Sequence, residues 1–454
     1  MNLKLSLSIK QRRQLSYGIE IVFLLFLFVF YFMWACHQPF NSAPDEKMRY
    51  DIPQYIYEHG ALPHGGDPEI RDENWGISYA FNPILSYIIS AAFMKIVSFF
   101  TTDFFSLLVA ARTVSVVWGV ITGFFTIRIS KKLIPKTYRP LFIVLVTLLP
   151  QMAYLASYVN TDAMAIASTS IIIYMWIIGL ETNWNKKSCI GLAIGLALCS
   201  LSYYNAYGYI LCSILLFVFS TLFMGEKKYN CQLMIKKGLL ITFIALLLAG
   251  WWFIRSYIIY DGDILGMATS RKYSELYAVD AFKPSNRVTY KSGGYSIINM
   301  LFSKGGWIET TKFSFIGCFG YMERYLGVRT YDRYIYLIAA GGVGVIFSFP
   351  KLFRPTKNKQ WIRANILNII LAIAMVIPVF LTIYYAYASD YQAQGRYVMP
   401  MIIPLMYFAV TGVKRILDFF IKEERIPIIT HVYAIILFIT VLQTYKNIFL
   451  TMFQ

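Results

Sequence analysis

Ile19-Glu-Ile-Val-Phe-Leu-Leu-Phe-Leu-Phe-Val-Phe-Tyr-Phe-Met-Trp-Ala-Cys36 is followed a few residues later by Asn41-Ser-Ala-Pro-Asp-Glu46. The first stretch is an apolar run close to the length that a bilayer-spanning helix requires. The second places two adjacent carboxylates just past its end. The polar loop they open continues to about Tyr79, with eight acidic residues against three basic ones, Lys47, Arg49 and Arg71. In a chain of formal charge +18, an acidic island at a membrane face is out of character. A solvated loop can carry such charges, and so can a carboxylate site at the membrane surface.

Apolar runs of similar length recur along the 454 residues, which are 57% hydrophobic and 15% charged, with a mean hydropathy of +0.54. A soluble chain carries about a quarter charged residues. The expected class is an all-α polytopic membrane protein. Its positive charge follows from the excess of Lys and Arg in cytoplasmic loops, which excludes a nucleic-acid reading. The six cysteines (36, 189, 199, 212, 231 and 318) show no paired or metal-like spacing, and most lie in apolar runs as small hydrophobes. The basic residues before the first run (Lys4, Lys10, Arg12, Arg13) resemble a signal peptide. The run is too long and lacks a small-x-small cleavage site, so a retained anchor is expected.

Twelve apolar segments stand out, near 19–36, 80–100, 104–129, 140–158, 162–180, 188–203, 206–224, 238–259, 332–349, 365–387, 397–413 and 426–447. Compact basic loops separate many of them, at Lys131–Arg139, Lys186-Lys187, Lys227–Lys237, Lys351–Arg363 and Lys414–Arg425. All of these loops and the N-terminus share the cytoplasmic side only if 80–100 does not span. Asn82-Pro83 at its start and Lys95 near its end suit an interfacial helix. About eleven spans remain, each near the ~20 residues required. Two large loops then face outward, 37–79 and 260–331, together with the turns at 158–162 and 388–396. The long loop, with nine basic and six acidic residues, is expected to hold short helices broken at Gly293-Gly294 and Gly305-Gly306. The chain divides into an N-terminal module at 1–259, with a first outer unit at 37–103, the loop 260–331, and C-terminal helices at 332–454.

Charged groups at membrane depth call for an explanation. Arg112 lies near the outer end of the 104–129 segment; it can snorkel, or pair with an outer carboxylate or a lipid phosphate. Asp162 opens a span from outside, where a carboxylate can cap free N–H groups. Arg255 follows Trp251-Trp252 at another outer end. Arg396 lies where the chain re-enters the membrane, a position that favours a phosphate unless the residue only pairs with Asp390 across its turn. The four histidines lack zinc-site spacing, and no Walker loop, dinucleotide fingerprint or nucleophile elbow occurs. Nothing is built for a nucleotide, so a lipid-carried donor is the natural candidate.

Several stretches in order resemble the GT-C superfamily of integral-membrane glycosyltransferases, which use polyprenyl-phosphate-linked sugars. They are Pro44-Asp-Glu46, Tyr57-Glu-His-Gly60, Leu62-Pro63, Asn82-Pro83-Ile-Leu-Ser-Tyr87, Ala111-Arg112-Thr-Val-Ser115 and Val159-Asn-Thr-Asp-Ala163. Gly191-Leu-Ala-Ile-Gly195-Leu196, Trp252-Phe-Ile-Arg255, Phe313-Ser-Phe-Ile-Gly-Cys-Phe-Gly320 and Gln394-Gly-Arg-Tyr397 follow. The resemblance covers most of the chain and is strongest to bacterial predicted-membrane-protein families related to protein O-mannosyltransferases and the lipid A aminoarabinose transferase.

It implies a catalytic carboxylate at Asp45 or Glu46, a second important acidic position at Asp162, and basic residues for the donor phosphate at Arg396, with Arg255 and Arg112 as further candidates. Asn160-Thr-Asp162 departs from the Asn-Asn-Asp or related acidic pattern of many relatives, so the need for a divalent cation stays open. The implied activity is transfer of a sugar, with inversion, from a polyprenyl-phosphate donor to a surface glycan, glycolipid or polymer, within cell-envelope polysaccharide biosynthesis. It would act at the outer face of the cytoplasmic membrane. The alternatives are a flippase or transporter for a lipid-linked sugar, which would concentrate polar residues at mid-membrane, and a polysaccharide polymerase or ligase.

Overall fold

The computed structural model describes residues 9–223, 230–347 and 359–453. Of the basic residues used for topology, Lys4, Lys227, Lys228, Lys351, Arg354 and Lys357 lie outside the described residues. The chain is an all-α polytopic membrane protein. Among the described residues, eight helices are long and apolar enough to cross a membrane. In order, the helices are α1 (Ile9–His37), α2 (Glu46–His59), α3 (Leu85–Val97), α4 (Phe104–Leu133), α5 (Arg139–Thr147), α6 (Pro150–Leu155), α7 (Asp162–Thr182) and α8 (Lys186–Ser200). They continue with α9 (Gly208–Phe223), α10 (Cys231–Ile259), α11 (Met267–Tyr277), α12 (Trp307–Ile316), α13 (Val328–Ile346), α14 (Lys359–Ala388), α15 (Ile402–Phe420) and α16 (Ile426–Thr444). A short antiparallel hairpin, β1 (Cys318–Phe319) and β2 (Arg324–Tyr325), interrupts the helices.

Three of the expected spans are helical but fall short of that test for readable reasons. The 140–158 segment breaks at Leu148-Leu149, because Pro150 disfavours helical geometry in the residue before it and starts a new helix itself. The break lets α6 turn toward the β1–β2 hairpin, where Gln151 Oε1 accepts from Cys318 N at 2.9 Å. The second, α8, has 15 residues, about 22 Å long. The third, α13, carries Arg329, Asp332 and Arg333 in its first turns. The 80–100 segment holds only the 13-residue α3, about 20 Å long against a ~30 Å hydrocarbon core. It lies buried on one side by Tyr87, Ala91 and Met94 and ends in exposed Phe99 and Phe100.

The bundle has two chemically distinct ends. At one, Glu20 meets Arg128 and Lys131, Lys132 meets Glu181, and Tyr138 bonds Asp418. At the other, the 37–100 unit packs with the turn at 158–162, the loop 260–331 and the 390–397 turn. The central span is α7, 83% buried over its apolar window, whereas α10 is 11% buried and faces outward. Ser168, Thr169 and Ser170 survive inside α7 because each hydroxyl donates to the carbonyl three residues back. Within the long loop, Gly306 has a left-handed φ of 60° and starts α12, so Gly305-Gly306 breaks the helical stretch, whereas Gly294, also left-handed, lies in a turn between non-helical residues.

The α13–α15 crossing depends on absent side chains. A Cβ on Gly412 would collide with the Gly341 carbonyl, and one on Gly344 with the Gly412 carbonyl. Small residues of this kind let membrane helices meet backbone to backbone. Gly412→Val is expected to destabilise the detergent-solubilised protein by about 1–3 kcal/mol or more. Gly342→Ala, at a position with nothing within 4 Å, should leave the melting curve in place.

Candidate active site

Three carboxylates and three guanidinium groups assemble at the loop end of the bundle. Glu46 and Arg112 form the first pair, fully buried on both sides. Arg112 donates Nε to Oε1 and Nη2 to Oε2, both at 2.8 Å. The backbone N–H groups of Val159 (3.3 Å) and Asn41 (3.1 Å) occupy the same two oxygens. The remaining Arg112 donors reach the carbonyls of Ala35, Gln38 and Pro39. These are carbonyls at and just past the end of α1, which a helix leaves without intrahelical partners. One side chain therefore ties α1, α4 and the start of α2 together.

Asp162 pairs with Arg49, Oδ2 to Nη1 at 3.1 Å, again with both side chains fully buried. Asp162 does not cap α7; Asn160 takes that place, its Oδ1 accepting from Ala163 N at 2.9 Å. Arg49 also lies over the Tyr79 ring at 4.7 Å.

Asp45 sits between Arg396, the third cation, and Arg49. Its Oδ2 receives Arg396 Nη2 at 2.7 Å and Tyr79 Oη at 3.0 Å, with Arg49 Nη2 at 3.9 Å. Among the described residues Oδ1 has no partner, and the side chain is 29% exposed, the one accessible carboxylate of the three. Asp45 precedes α2 in a left-handed conformation, φ 63°, and makes no capping bond. Asp and Asn are among the few residues that visit this region, and here the turn aims the carboxylate at Arg396 rather than at the helix N-terminus. Asn41, four residues earlier, is left-handed too, with φ 56°. Its side chain accepts from Lys47 N and from Tyr321 Oη, pinning the loop against the hairpin turn.

Arg396 is positioned by its neighbour. Gly395 packs against the α12 backbone so closely that a Cβ would strike Phe315 N, and Gly395 N donates to Ser314 Oγ at 2.7 Å. Arg396 reaches Pro44 O (3.3 Å) and Tyr397 Oη (2.9 Å), while its buried Nε has no hydrogen-bond partner among the described residues. Asp390 does not pair with it; that carboxylate accepts from Gln392. Arg255 stands apart from the cluster, donating to Pro63 O at 2.8 Å beside Trp252.

The structure thus brings Asp45, Glu46, Asp162, Arg112 and Arg396 together and leaves Arg255 in the next layer. Arg49, Tyr79 and Tyr397 join them without having been singled out. Arg49 was findable, because it lies four residues after Asp45 and so on the same helical face. The carboxylates each face an arginine rather than one another, an arrangement that does not fit a divalent cation. A separate grouping with metal-donor atoms, Glu58, His59 and Glu69, is exposed at the far end of α2.

Burial raises the Asp45 carboxyl pKa, but Arg396 and Arg49, with hydrogen bonds from Arg396 and Tyr79, more than offset it, so the group titrates below its ordinary value.

No family model and no curated protein sequence matches the chain. Solved structures match it in shape. The apo oligosaccharyltransferase of Archaeoglobus fulgidus aligns over 93% of this chain and 55% of that chain, with TM-score 0.57 and 10% identity. The fold is GT-C-like. Another structure from that organism, the oligosaccharyltransferase AglB in complex with an inhibitory peptide and a dolichol-phosphate, aligns over 94% and 56% at TM-score 0.50 and 12% identity. ArnT from Cupriavidus metallidurans bound to undecaprenyl phosphate aligns over 96% and 73%, with TM-score 0.48 and 12% identity. The chain spans little more than half the length of the archaeal proteins. In this GT-C-like chain, the ion cluster joins the first loop to the helices that begin at Asp162 and just after Arg396.

Two outcomes are expected. Arg112→Gln strands a buried Glu46 and should cost about 3–5 kcal/mol, with Arg112→Gln/Glu46→Gln less damaged than the single variant in thermal melts. Asp45, whose folded pKa is depressed, contributes stability that is complete above its unfolded value and is lost as pH falls through the lower folded one. The stability gap between the protein and Asp45→Asn should be constant from about pH 5 to 8 and shrink only below about pH 4.

Proposed function

We propose that the chain is a GT-C-type glycosyltransferase that moves a sugar from a polyprenyl-phosphate donor to a surface glycan, glycolipid or polymer. The observation that carries this reading is Asp45. One of its oxygens is held by Arg396, Arg49 and Tyr79; the other is unpartnered among the described residues, and the side chain is partly exposed. Supporting it are the GT-C-like fold and the neighbours solved with dolichol-phosphate or undecaprenyl phosphate.

Asp45 acts as general base. It takes the proton of an acceptor hydroxyl as that oxygen attacks the anomeric carbon; the bond from carbon to phosphate oxygen breaks, and the electron pair leaves on the polyprenyl phosphate. A single displacement of this kind inverts the anomeric centre. Arg396 holds the departing phosphate, since it touches the base and carries an unpartnered Nε. Charge developing there is stabilised by a donor already in position. A phosphate at Arg396 competes with Asp45 for the same guanidinium, and losing that contact raises the basicity of Asp45 when the donor is bound. Glu46 and Arg112, with every carboxylate oxygen and most donors engaged, are positioning residues in this scheme, as are Asp162 and Arg49. Arg255 flanks the donor from the Leu62-Pro63 turn.

The gathering of basic residues at one bundle end supports placing that end in the cytoplasm and the Asp45 end outside. A second reading keeps the chemistry and changes the donor to a lipid-linked oligosaccharide, as in a polymerase or ligase; the fold likeness to an oligosaccharyltransferase favours it. A flippase is disfavoured by the clustering of polar groups at one end rather than at mid-membrane.

Purified protein in liposomes with labelled polyprenyl-phosphate hexose and candidate acceptors should release polyprenyl phosphate. Asp45→Asn should lower the rate about 10²–10⁴-fold while eluting and melting as a folded protein. Full activity in both Asp45→Asn and Glu46→Gln would sink the mechanism, and translocation of intact donor without release would indicate the flippase.

A further inference from the structure

The opposite end of the bundle holds a cavity of about 520 Å³. The 21 residues of α7 separate it from the Asp45 cluster, a distance of about 30 Å. Its walls come from the ends of α7, α9, α10 and α14, and the polar groups facing it include Asn183, Ser220, Thr221, Asn230, Lys237 and Arg363. Among the described residues that line it, none is acidic.

Several other cations at this end do have carboxylate partners. At the same end, Arg128 and Lys131 share Glu20, Lys132 has Glu181, and Lys414 has Asp418. Lys237 and Arg363 are half-buried, yet both turn to one neutral residue: Lys237 Nζ donates to Asn183 O at 2.6 Å and Arg363 Nη2 to Asn183 Oδ1 at 3.0 Å. An ammonium has three donors and a guanidinium five, so most of their capacity is left toward the cavity. Two cations converging on one residue, with no carboxylate between them among the described residues, repel each other, and partial burial strengthens that repulsion. An anion between them would relieve it.

The wall that joins them is built rigidly. Asn183 and Trp184 are consecutive left-handed residues, φ 50° and 57°, an arrangement that costs on the order of 1–3 kcal/mol per residue and persists only where packing over-determines it. The Trp184 indole supplies that packing. It donates to Ser220 Oγ at 2.8 Å, meets the Phe217 ring edge-on, and lies where any side chain on Gly179 would fall.

Depth and flanks select the ligand. The cavity lies at the ends of four helices long and apolar enough to cross a membrane, where headgroups would meet such a bundle. Beside it, Phe219, Phe223 and Leu233 are exposed apolar side chains against which acyl chains can lie. Basic pockets between transmembrane helices are suited to anionic lipid headgroups, and charge-assisted bonds from Arg and Lys to phosphate oxygens are strong. We propose that Lys237 and Arg363 bind the headgroup phosphate of an anionic phospholipid at the end of the bundle opposite the Asp45 cluster. The site does not depend on the transferase reading.

The test is native mass spectrometry of the full-length protein in neutral detergent. It would be titrated with phosphatidylglycerol, cardiolipin, phosphatidylcholine or inorganic phosphate, with thermal melts run in parallel. An anionic-lipid adduct that phosphatidylcholine does not form, and that raises the melting temperature, is expected. Lys237→Gln/Arg363→Gln should weaken it at least tenfold. Lys237→Arg, which keeps the charge and guards against a misfolded variant, should retain it. Lys186→Gln, exposed at the same end, should leave it unchanged. Equal retention by the double variant, equal binding of phosphatidylcholine, or a melting shift given by inorganic phosphate alone would overturn the proposal.

Discussion

The buried grip of Arg112 on Glu46 is the interaction on which the loop end of the bundle depends. Burying two charges is expensive, and their attraction offsets the cost only when the geometry is good and the leftover donors and acceptors are used. Here both conditions hold. The pair is two-pronged, Val159 and Asn41 complete the carboxylate, and the spare guanidinium donors satisfy carbonyls at the end of α1. Three stretches that are far apart in sequence, 35–46, the turn of α4 at Arg112 and the turn at Val159, meet at one charge pair. Asp45, the residue just before Glu46, inherits its position from that anchor.

Around the anchor, charge is balanced one to one. Asp162 answers Arg49, Glu46 answers Arg112, and Asp45 answers Arg396 while also feeling Arg49. Two carboxylates are sealed and one is left partly open, and the proposed mechanism assigns support to the first two and chemistry to the third. A carboxylate inside such a network stays ionised over a wide pH range. In that proposal it becomes more basic when a phosphate draws Arg396 away, which would couple donor binding to proton abstraction through one guanidinium.

Much of the fold could be read from the chain. Ile19–Cys36 and its counterparts announce the spans, and charge placement identified 80–100 as too peripheral to cross, in keeping with the 13 residues of α3. Three of the expected spans fall short of the length and apolarity of the other eight among the described residues. Pro150 carries the signal that breaks one of them, and the charges of α13 qualify another. Within the cluster, the sequence favoured Asp45 over Glu46 as the base but left the choice open, because neighbours one residue apart point in different directions only once a backbone conformation is known. The left-handed turn at Asp45 sets the two side chains apart, one partly exposed and the other buried. The Arg49–Asp162 pair spans 113 residues and leaves no local pattern. The capping expected of Asp162 goes to Asn160, whose amide also donates to the Leu155 and Tyr158 carbonyls. The position of Arg396 beside Asp45 depends on the close approach of Gly395 to α12, which no spacing rule anticipates.

The shared guanidinium is the central claim, and the affinity of the purified protein for polyprenyl phosphate alone tests it most directly. If Asp45 and a phosphate compete for Arg396, Asp45→Asn should bind polyprenyl phosphate roughly tenfold more tightly than the unaltered protein, and Arg396→Gln should abolish the difference. Unchanged or weaker binding by a well-folded Asp45→Asn variant would contradict the account.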